Sequence, residues 1–325
     1  MQKNRSLKNQ QGFSDVLGQE KAVSTLKIIW AKKLNPSFMI FAGPKGIGKM
    51  KTAKIYGSSL LCDKPSLKEG PCYECKSCSD ADKNIHPDLH VIDFEYQSLV
   101  STKSTTQSAL KIETMRGMLG ELHRKPYYGK AIIAIIDDAD KLTVAAQNAL
   151  LKELEEAPKD VFWIFCATSI EGILPTIRSR ANWTIYFKPI NTEILSQILI
   201  KECDLDEKKA SSIAPLCLGS LERAKTLINA SKGAKSGQGQ ITAPKKLSPK
   251  EVLLLSQKIA RFRSHARARD AVREFLDDYL TLTLALWRKD PVPSNLKALN
   301  NIIKAQKDLD TNLTPAIVLE NLLLK

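Results

Sequence analysis

Residues 37–56, SFMIFAGPKGIGKMKTAKIY, predict a buried strand, a glycine-rich loop and a helix in direct succession. The apolar run at 38–41 is typical of a buried strand, and a helical pattern resumes from about Gly48. The loop between them fits G-x-x-x-x-G-K. Such a loop turns backbone N–H groups toward phosphates at the positive end of a helix, and its lysine reaches the terminal phosphates. The stretch therefore predicts a nucleotide-binding architecture, with these candidate phosphate-binding residues: Gly43, Pro44, Lys45, Gly46, Gly48 and Lys49.

The residue after Lys49 departs from this pattern. A hydroxyl at this position would hold Mg²⁺, but the chain has Met50, whose thioether is a poor ligand for a hard cation. Thr52 lies two residues further on and would point elsewhere on a helix. We therefore predict that ATP or ADP binds weakly or not at all.

The composition is that of a globular protein with an excess of positive charge. The 325 residues suffice for two or three domains, and a hydrophobic fraction of 43% suffices for substantial cores. A formal net charge of +14 favours polyanionic partners, either nucleic acid or an anionic membrane surface. The alternative is a basic protein whose charge serves only solubility.

No targeting or membrane segment is evident in the sequence. The first residues, MQKNRSLKNQQGF, are basic but lack the apolar segment of a secretory signal. No uninterrupted apolar run approaches the ~18–20 residues of a membrane span. We therefore expect a cytoplasmic protein with no membrane partner. In a reducing compartment, seven cysteines indicate metal binding or buried thiols rather than disulfides.

Apolar runs alternate with helical patterns through the first half of the chain. Strands are predicted at 38–41, 89–94, 131–136, 161–167 and 183–187. Helices are predicted at 16–33, at about 48–62, along the apolar positions of 112–122, and from Ala146 to a stop at Pro158, with a polar loop at 98–107. This alternation predicts an α/β domain with a parallel sheet over residues 1–188.

The composition changes after Pro189. Residues 189–231 show helical periodicity only, and the Gly/Ser/Lys-rich stretch at 232–247 is typical of a flexible linker. Residues 248–325 are again helical and rich in Leu and Ala. The predicted fold class is therefore an α/β P-loop domain followed by a small helical domain and a C-terminal all-helical domain.

Polar residues end two of the predicted strands. Asp137 and Asp138 follow the run AIIAII, and in P-loop proteins the strand beside the phosphate loop carries an aspartate for the metal ion. Asp138 stands where a glutamate usually polarises the attacking water and is one methylene shorter. Thr168 ends the next strand, where a polar residue can report on the γ-phosphate. The alternative is a set of solvated polar residues at strand ends.

Four cysteines form C-x9-C-x2-C-x2-C within a charged insertion at 62–78: Cys62, Cys72, Cys75 and Cys78. Thiolates at CxxC spacing readily bind one tetrahedral Zn²⁺, and an iron–sulfur cluster uses similar spacing. Four thiolates leave no open coordination position, so the metal would be structural. The alternative is four incidental thiols.

Arginines stand out in two places. Arg180, in the run Ile177-Arg178-Ser179-Arg180, is predicted at the start of a helix on the rim of the domain, where an arginine finger can reach a neighbour's nucleotide. Taken alone, a solvated arginine pair is the simpler interpretation. The run at 261–273, RFRSHARARDAVR, predicts a basic helix that either contacts DNA phosphates or is solvated and paired with acids, and we prefer the second.

The order of these motifs resembles that of bacterial clamp-loader AAA+ subunits of DNA polymerase III, most of all the delta-prime type. The resemblance also includes His86-Pro87-Asp88, the strand IIDDADKL, NALLKELEEAP (148–158), Ser179-Arg180-Ala181 and GSLERA (219–224). It covers about residues 12–230 and, more weakly, the tail LTPAIVLENLLLK (313–325).

The resemblance implies an AAA+ domain, a helical lid over 189–231 and a collar domain over 248–325 that joins a hetero-oligomeric ring. It favours zinc for the cysteines. It makes Arg180 the arginine finger of the family's Ser-Arg-Cys motif, acting on ATP in an adjacent gamma/tau subunit, although Ala181 replaces the cysteine. Glu222 occupies the place of the family's sensor arginine, one residue before Arg223.

We therefore predict a delta-prime-like subunit that hydrolyses no ATP itself and helps to load the sliding clamp onto primed DNA. The implied partners are gamma/tau and delta subunits, with the clamp and primed DNA contacted through the complex. Two alternatives stay open: a gamma/tau-like active ATPase, and a free-standing zinc-containing AAA+ protein that binds nucleic acid.

Overall fold

The computed structural model describes residues 12–34, 36–100, 109–156, 158–233, 293–310 and 313–323, with isolated positions between 269 and 283. Most of the predicted linker at 232–247 and most of the arginine-rich run at 261–273 lie outside the described residues. The chain divides into two compact units. One takes in residues 1–105, 109–198 and 220–222; the other takes in 106–108, 199–219 and 223–325. The domain boundaries given above stay a prediction.

The first unit alternates strands and helices, as the sequence predicts. Its strands are β1 Phe38–Ala42, β2 Leu89–Ile92, β3 Ile132–Ile136, β4 Val161–Ala167 and β5 Trp183–Tyr186. Its helices are α1 Glu20–Ala31, α2 Lys49–Leu61, α3 Lys76–Asp82, α4 Phe94–Val100, α5 Ile112–Leu122, α6 Val144–Glu155 and α7 Pro175–Arg178. Short 3-10 helices lie at Gly12–Asp15, Ala139–Lys141 and Ile170–Gly172. Helix α8, Thr192–Cys203, begins in this unit and ends in the second.

The five strands form one parallel sheet in the order β2-β3-β4-β1-β5. The predicted α/β fold with a parallel sheet is confirmed. Because all strands run the same way, the residues after β1, β2 and β3 meet at one edge of the sheet. The glycine-rich loop and the predicted acidic residues are brought together at that edge.

Both faces of the sheet are covered by helices, which explains why β1 and β3 are apolar and buried at every position. In β1, Phe38 and Ile40 point to a core shared with apolar side chains of α5 and α6. Met39 and Phe41 point to a second core shared with α1 and α2. The result is a three-layer arrangement that fixes the ends of the strands.

Strand β2 differs from its predicted bounds. The prediction ran to Phe94, but the strand ends at Ile92 and Phe94 opens α4. The Asp93 carboxylate accepts the N–H of Tyr96 at 2.8 Å, which satisfies a first-turn donor and starts the helix. Residues 98–100, predicted as part of a loop, are helical for the same reason.

The second unit is helical where it is described. It contains the end of α8, α9 Glu207–Ile213, a 3-10 helix at Ala214–Cys217, most of α10 Leu221–Gly233, α11 Pro293–Asp310 and α12 Pro315–Leu323. Helices α11 and α12 pack through apolar side chains that include Ile302, Leu309 and Leu319. Among the described helices, none combines the length and apolar character needed to cross a lipid bilayer.

Candidate nucleotide-binding and metal sites

A cavity of about 360 Å³ opens where the glycine-rich loop meets the ends of β2 and β3. It is lined by Lys45, Gly46, Gly48, Lys49, Met50, Lys51, Asp93, Phe94, Glu95, Asp137, Asp138 and Glu222. Three lysines and five carboxylates therefore line it. Because a nucleotide phosphate chain is itself negative, this excess of carboxylates disfavours a phosphate chain.

The glycine-rich loop is held directly against the start of α10. The N–H of Leu221 donates to the Gly46 carbonyl at 2.8 Å. Gly46 has a φ of +73°, and a Cβ there would lie 2.4 Å from Ser220 Oγ and 2.6 Å from Glu222 Cβ. Only glycine allows this conformation together with so close an approach. The loop and residues 220–222 belong to the same compact unit.

Lys49, the predicted phosphate-binding lysine, bonds to its own loop. Its ammonium group donates to the carbonyls of Gly43 and Pro44, both at 2.7 Å. Only 7% of the residue is exposed, and this burial lowers the pKa of Lys49 from its ordinary value. The loop thus has the shape of a phosphate cradle, while its lysine satisfies two loop carbonyls.

The position after this lysine offers no hydroxyl to the cavity. Met50 lines the cavity and packs partly against the α1/α2 core. Thr52 is fully buried, and its hydroxyl donates to the Gly48 carbonyl at 2.8 Å. The loop therefore has the shape of a phosphate-binding loop, but the residues after Lys49 do not supply the hydroxyl that would hold Mg²⁺.

The acidic residues predicted at the strand end do line the cavity. Asp137 directly follows β3, and its N–H donates to the carbonyl of Ile92, the last residue of β2, at 2.9 Å. Burial, with the nearby Asp138 carboxylate, raises the pKa of Asp137 above that of an ordinary aspartate. Asp138 instead forms an ion pair with Lys141 at 2.8 Å, so it is directed to its own turn.

Thr168 lies at the predicted strand end but is exposed, and it is not among the described residues that line the cavity. Its backbone N–H donates to the Asp140 carboxylate at 2.8 Å. The structure therefore brings the loop, Asp137 and Asp138 together and leaves Thr168 at the margin.

Two acidic residues of this cavity, Asp93 and Glu95, were not selected from the sequence, and Glu222 was selected only as the residue in the place of the sensor arginine. Asp93 and Glu95 line it because β2 ends two residues earlier than predicted. A correct strand end would have placed Asp93 beside Asp137, since β2 and β3 are neighbours. Glu222 forms an ion pair with Lys45 at 2.9 Å, a contact that no local sequence pattern predicts.

The four cysteines converge on one point. Their sulfur atoms all lie within 4.8 Å of one another, and the Sγ atoms of Cys72 and Cys78 are 3.9 Å apart. Backbone N–H groups of Cys72, Cys75 and Cys78 donate to the sulfurs of Cys62, Cys72 and Cys75 at 3.2–3.4 Å. Burial opposes ionisation at Cys72, but N–H groups of Glu74 and Cys75 outweigh it and lower the pKa of Cys72 to about 6. This group could hold one metal ion.

The cysteine module is tied to the sheet by a buried polar network. The Ser77 hydroxyl, on α3, donates to the Leu61 carbonyl at 3.0 Å and lies 2.9 Å from His86 Nε2. The other ring nitrogen of His86 accepts the N–H of Asp88 at 3.0 Å. Both nitrogens of His86 are therefore engaged away from the cysteines.

Arg180 lies beyond the end of α7, not at the start of a helix as predicted. Its N–H donates to the Ile177 carbonyl at 3.0 Å, which closes a turn after Pro175–Arg178. Its guanidinium bonds to the Thr176 carbonyl and to the Glu155 carboxylate. The side chain is 31% exposed, so it stays accessible at the surface of this unit.

Comparison with known proteins places this architecture in a family. A sequence profile described as "DNA polymerase III, delta subunit" matches residues 18–191. The chain is 33% identical to a DNA polymerase III subunit gamma of Buchnera aphidicola over 71% of this chain and 60% of the relative. It is 31% identical to a DNA polymerase III subunit delta' of Pseudomonas aeruginosa over 42% of this chain and 39% of the relative.

The chain spans less than two thirds of the length of these curated relatives. Among solved structures, a gamma subunit-related protein of Thermotoga maritima superposes with a TM-score of 0.52 at 16% identity, over 93% of this chain and 97% of that one. That likeness supports the fold. The profile match covers more than half of the chain and agrees with the cavity and the strand order. The chain therefore belongs to the clamp-loader AAA+ subunits of DNA polymerase III, of the gamma, tau and delta-prime type.

Proposed function

We propose that the chain is a delta-prime-like subunit that helps to load the sliding clamp onto primed DNA without hydrolysing ATP itself. The observation that carries this proposal is the nucleotide cavity. Met50 stands where a metal-binding hydroxyl is needed, and Lys45, which lines the cavity, is already paired with the Glu222 carboxylate. A cavity of this kind keeps the loop lysine and the strand-end aspartates of an ATP site but lacks the hydroxyl that would hold Mg²⁺.

In this role the chain acts on a neighbouring subunit. The ATP that is hydrolysed would be bound by an adjacent gamma/tau subunit, and Arg180 would reach its phosphates as an arginine finger. Arg180 suits that task because its guanidinium is partly exposed on the rim of the sheet domain. The partners we propose are gamma/tau and delta subunits in a hetero-oligomeric ring, with the clamp and DNA contacted through the assembly.

We further propose that the cysteines hold a structural zinc ion. Zinc–sulfur bonds of about 2.3 Å in a tetrahedron place sulfurs about 3.8 Å apart, close to the 3.9 Å between Cys72 and Cys78. The three N–H···S bonds stabilise thiolates, which are the form that binds the metal. A bound zinc ion would cross-link the insertion, and the Ser77–His86 contact transmits that rigidity to the sheet.

The test is hydrolysis by the assembled complex with Arg180→Ala. An arginine finger contributes about 10³–10⁵ in rate at its own site, so DNA-stimulated ATPase should fall. Arg178→Ala is the matched control, since it removes a guanidinium two residues away on α7. An unchanged rate with Arg180→Ala would remove the arginine-finger role.

A second candidate is an active gamma/tau-like ATPase. It is favoured by the match to gamma and tau relatives, which extends over 67–71% of this chain in Buchnera aphidicola and Bacillus subtilis. Magnesium-dependent ATP turnover by the isolated chain would establish it.

The free-standing nucleic-acid-binding alternative is favoured by the net charge of +14, and it requires salt-sensitive DNA binding by the chain alone.

A further inference from the structure

The guanidinium of Arg180 is held between two helices of the first unit. One terminal nitrogen donates to the Thr176 carbonyl in α7, and the other donates to the carboxylate of Glu155, the last residue of α6. The Nε atom is buried and has no hydrogen-bond partner among the described residues. The stem of the side chain is therefore packed, and both ends of its fork are anchored.

Helix α6 also fixes the segment that carries Arg180. The Gln147 side chain, 3% exposed, donates to the Gly172 carbonyl at 3.0 Å and accepts the N–H of Leu174 at 2.7 Å. About two turns further along the same helix, Leu154 and Ile177 belong to one buried core. Glu155 follows Leu154 directly, so the same helix places the carboxylate beside Arg180.

We propose that Glu155 is a positioning residue, which fixes the guanidinium of Arg180 for its action on a neighbouring subunit's nucleotide. This inference rests on the arginine-finger role proposed above. A guanidinium has five N–H groups in a rigid fork. With one N–H of each terminal nitrogen anchored, the second N–H of each remains to meet a phosphate oxygen.

The benefit of this arrangement is preorganisation. A free arginine side chain samples many rotamers, and this freedom must be lost when the side chain docks on a phosphate. Two anchors remove part of that cost before the subunits meet. The Glu155–Arg180 pair is partly exposed, and exposed ion pairs contribute little to folding stability. Neutralising Glu155 should therefore alter the reaction while leaving the fold intact.

The experiment uses the full chain in the clamp-loader complex with sliding clamp and primed DNA. Four chains are compared with wild type: Glu155→Gln, Arg180→Ala, the double variant, and Glu156→Gln as the matched control. Glu156 is the neighbouring acid, exposed and just past α6. Each chain is first checked for complex formation and thermal unfolding, and then kcat and KM for ATP are measured.

We expect Glu155→Gln to lower kcat by about threefold and to leave KM for ATP unchanged. This factor corresponds to about 0.7 kcal/mol in activation free energy, at about 1.4 kcal/mol per factor of ten. In the Arg180→Ala background, Glu155→Gln should cause no further loss, because Glu155 acts only through that arginine. The control should match wild type.

Other outcomes separate the two proposals. If Arg180→Ala leaves the rate unchanged, the arginine-finger role fails and the positioning role fails with it. If Arg180→Ala lowers the rate while Glu155→Gln leaves it equal or raises it, the finger stands and the positioning role is overturned. An additive loss in the double variant, or an equal loss with Glu156→Gln, also overturns it.

Discussion

The Lys45–Glu222 ion pair should act as a barrier to nucleotide, and Glu222→Gln tests this. The substitution removes the carboxylate charge and keeps the side-chain shape. The two charged atoms are 2.9 Å apart, and both side chains are about half exposed. We therefore expect nucleotide to bind more tightly to the variant, because the Glu222 carboxylate would no longer repel its phosphates.

The size of the effect follows from the geometry. The N–H groups of an ammonium point to the corners of a tetrahedron, so a phosphate oxygen bonded to a second N–H of Lys45 would lie about 5 Å from the Glu222 carboxylate oxygen. In water, two unit charges at that distance interact with about 0.9 kcal/mol, and a doubly charged terminal phosphate doubles this to about 1.8 kcal/mol. Affinity should rise by about twentyfold at low salt.

The assay is isothermal titration calorimetry, in which the purified full chain is titrated with ATP with and without Mg²⁺. The effect should shrink between about 0.01 M and 0.15 M salt, where the screening length falls from about 30 Å to about 8 Å. Glu193→Gln on α8 is the matched control, since it makes the same change in net charge away from the cavity. Equal affinities for Glu222→Gln, Glu193→Gln and wild type would refute the barrier.

Two further predictions concern the cysteine module and its support. The purified chain should contain about one zinc ion, and the Cys72→Ser variant should lose it and unfold at a lower temperature. The control Cys203→Ser, on α8, should keep the zinc ion. Elemental analysis and thermal unfolding measure both effects, and zinc retained by Cys72→Ser would argue against the site. The carboxylate of Asp88, a residue only 3% exposed, accepts hydrogen bonds from the N–H groups of Tyr127 and Tyr128 at 2.7 and 2.9 Å. Asp88→Ala leaves both donors without this partner, so it should lower the free energy of unfolding by about 3 kcal/mol and Tm by about 10 °C. A Tm equal to that of the exposed-site control Asp160→Ala would contradict this expectation.

The central strands could be predicted from sequence because a strand that is buried on both faces carries apolar residues at successive positions. Every position of β1 and β3 is buried, so each strand appears as an unbroken apolar run. The glycine-rich loop and the four cysteines were also predictable, since local spacing alone sets their geometry. The end of β2 was missed because a single hydrogen bond, from Tyr96 N–H to Asp93, decides where the strand stops.

Contacts between distant charged residues could not be predicted. Glu222 and Lys45 carry no periodicity that links them, and they meet only because Leu221 bonds the loop at Gly46. The same holds for Glu155 and Arg180, whose contact depends on how α7 is fixed to α6. Such pairs follow from the tertiary path of the chain, which local patterns do not contain.

Contacts within the protein help to hold the shape of the glycine-rich loop. A phosphate-binding loop turns its N–H groups toward the ligand, so its carbonyls need other partners, and an unsatisfied buried group costs about 1–3 kcal/mol. Here Lys49 satisfies the carbonyls of Gly43 and Pro44, and Leu221 satisfies that of Gly46. The loop and the start of α10 are thus joined by contacts within the protein, beside the candidate nucleotide cavity. Because these contacts do not depend on a ligand, we infer that this part of the chain keeps its conformation without nucleotide.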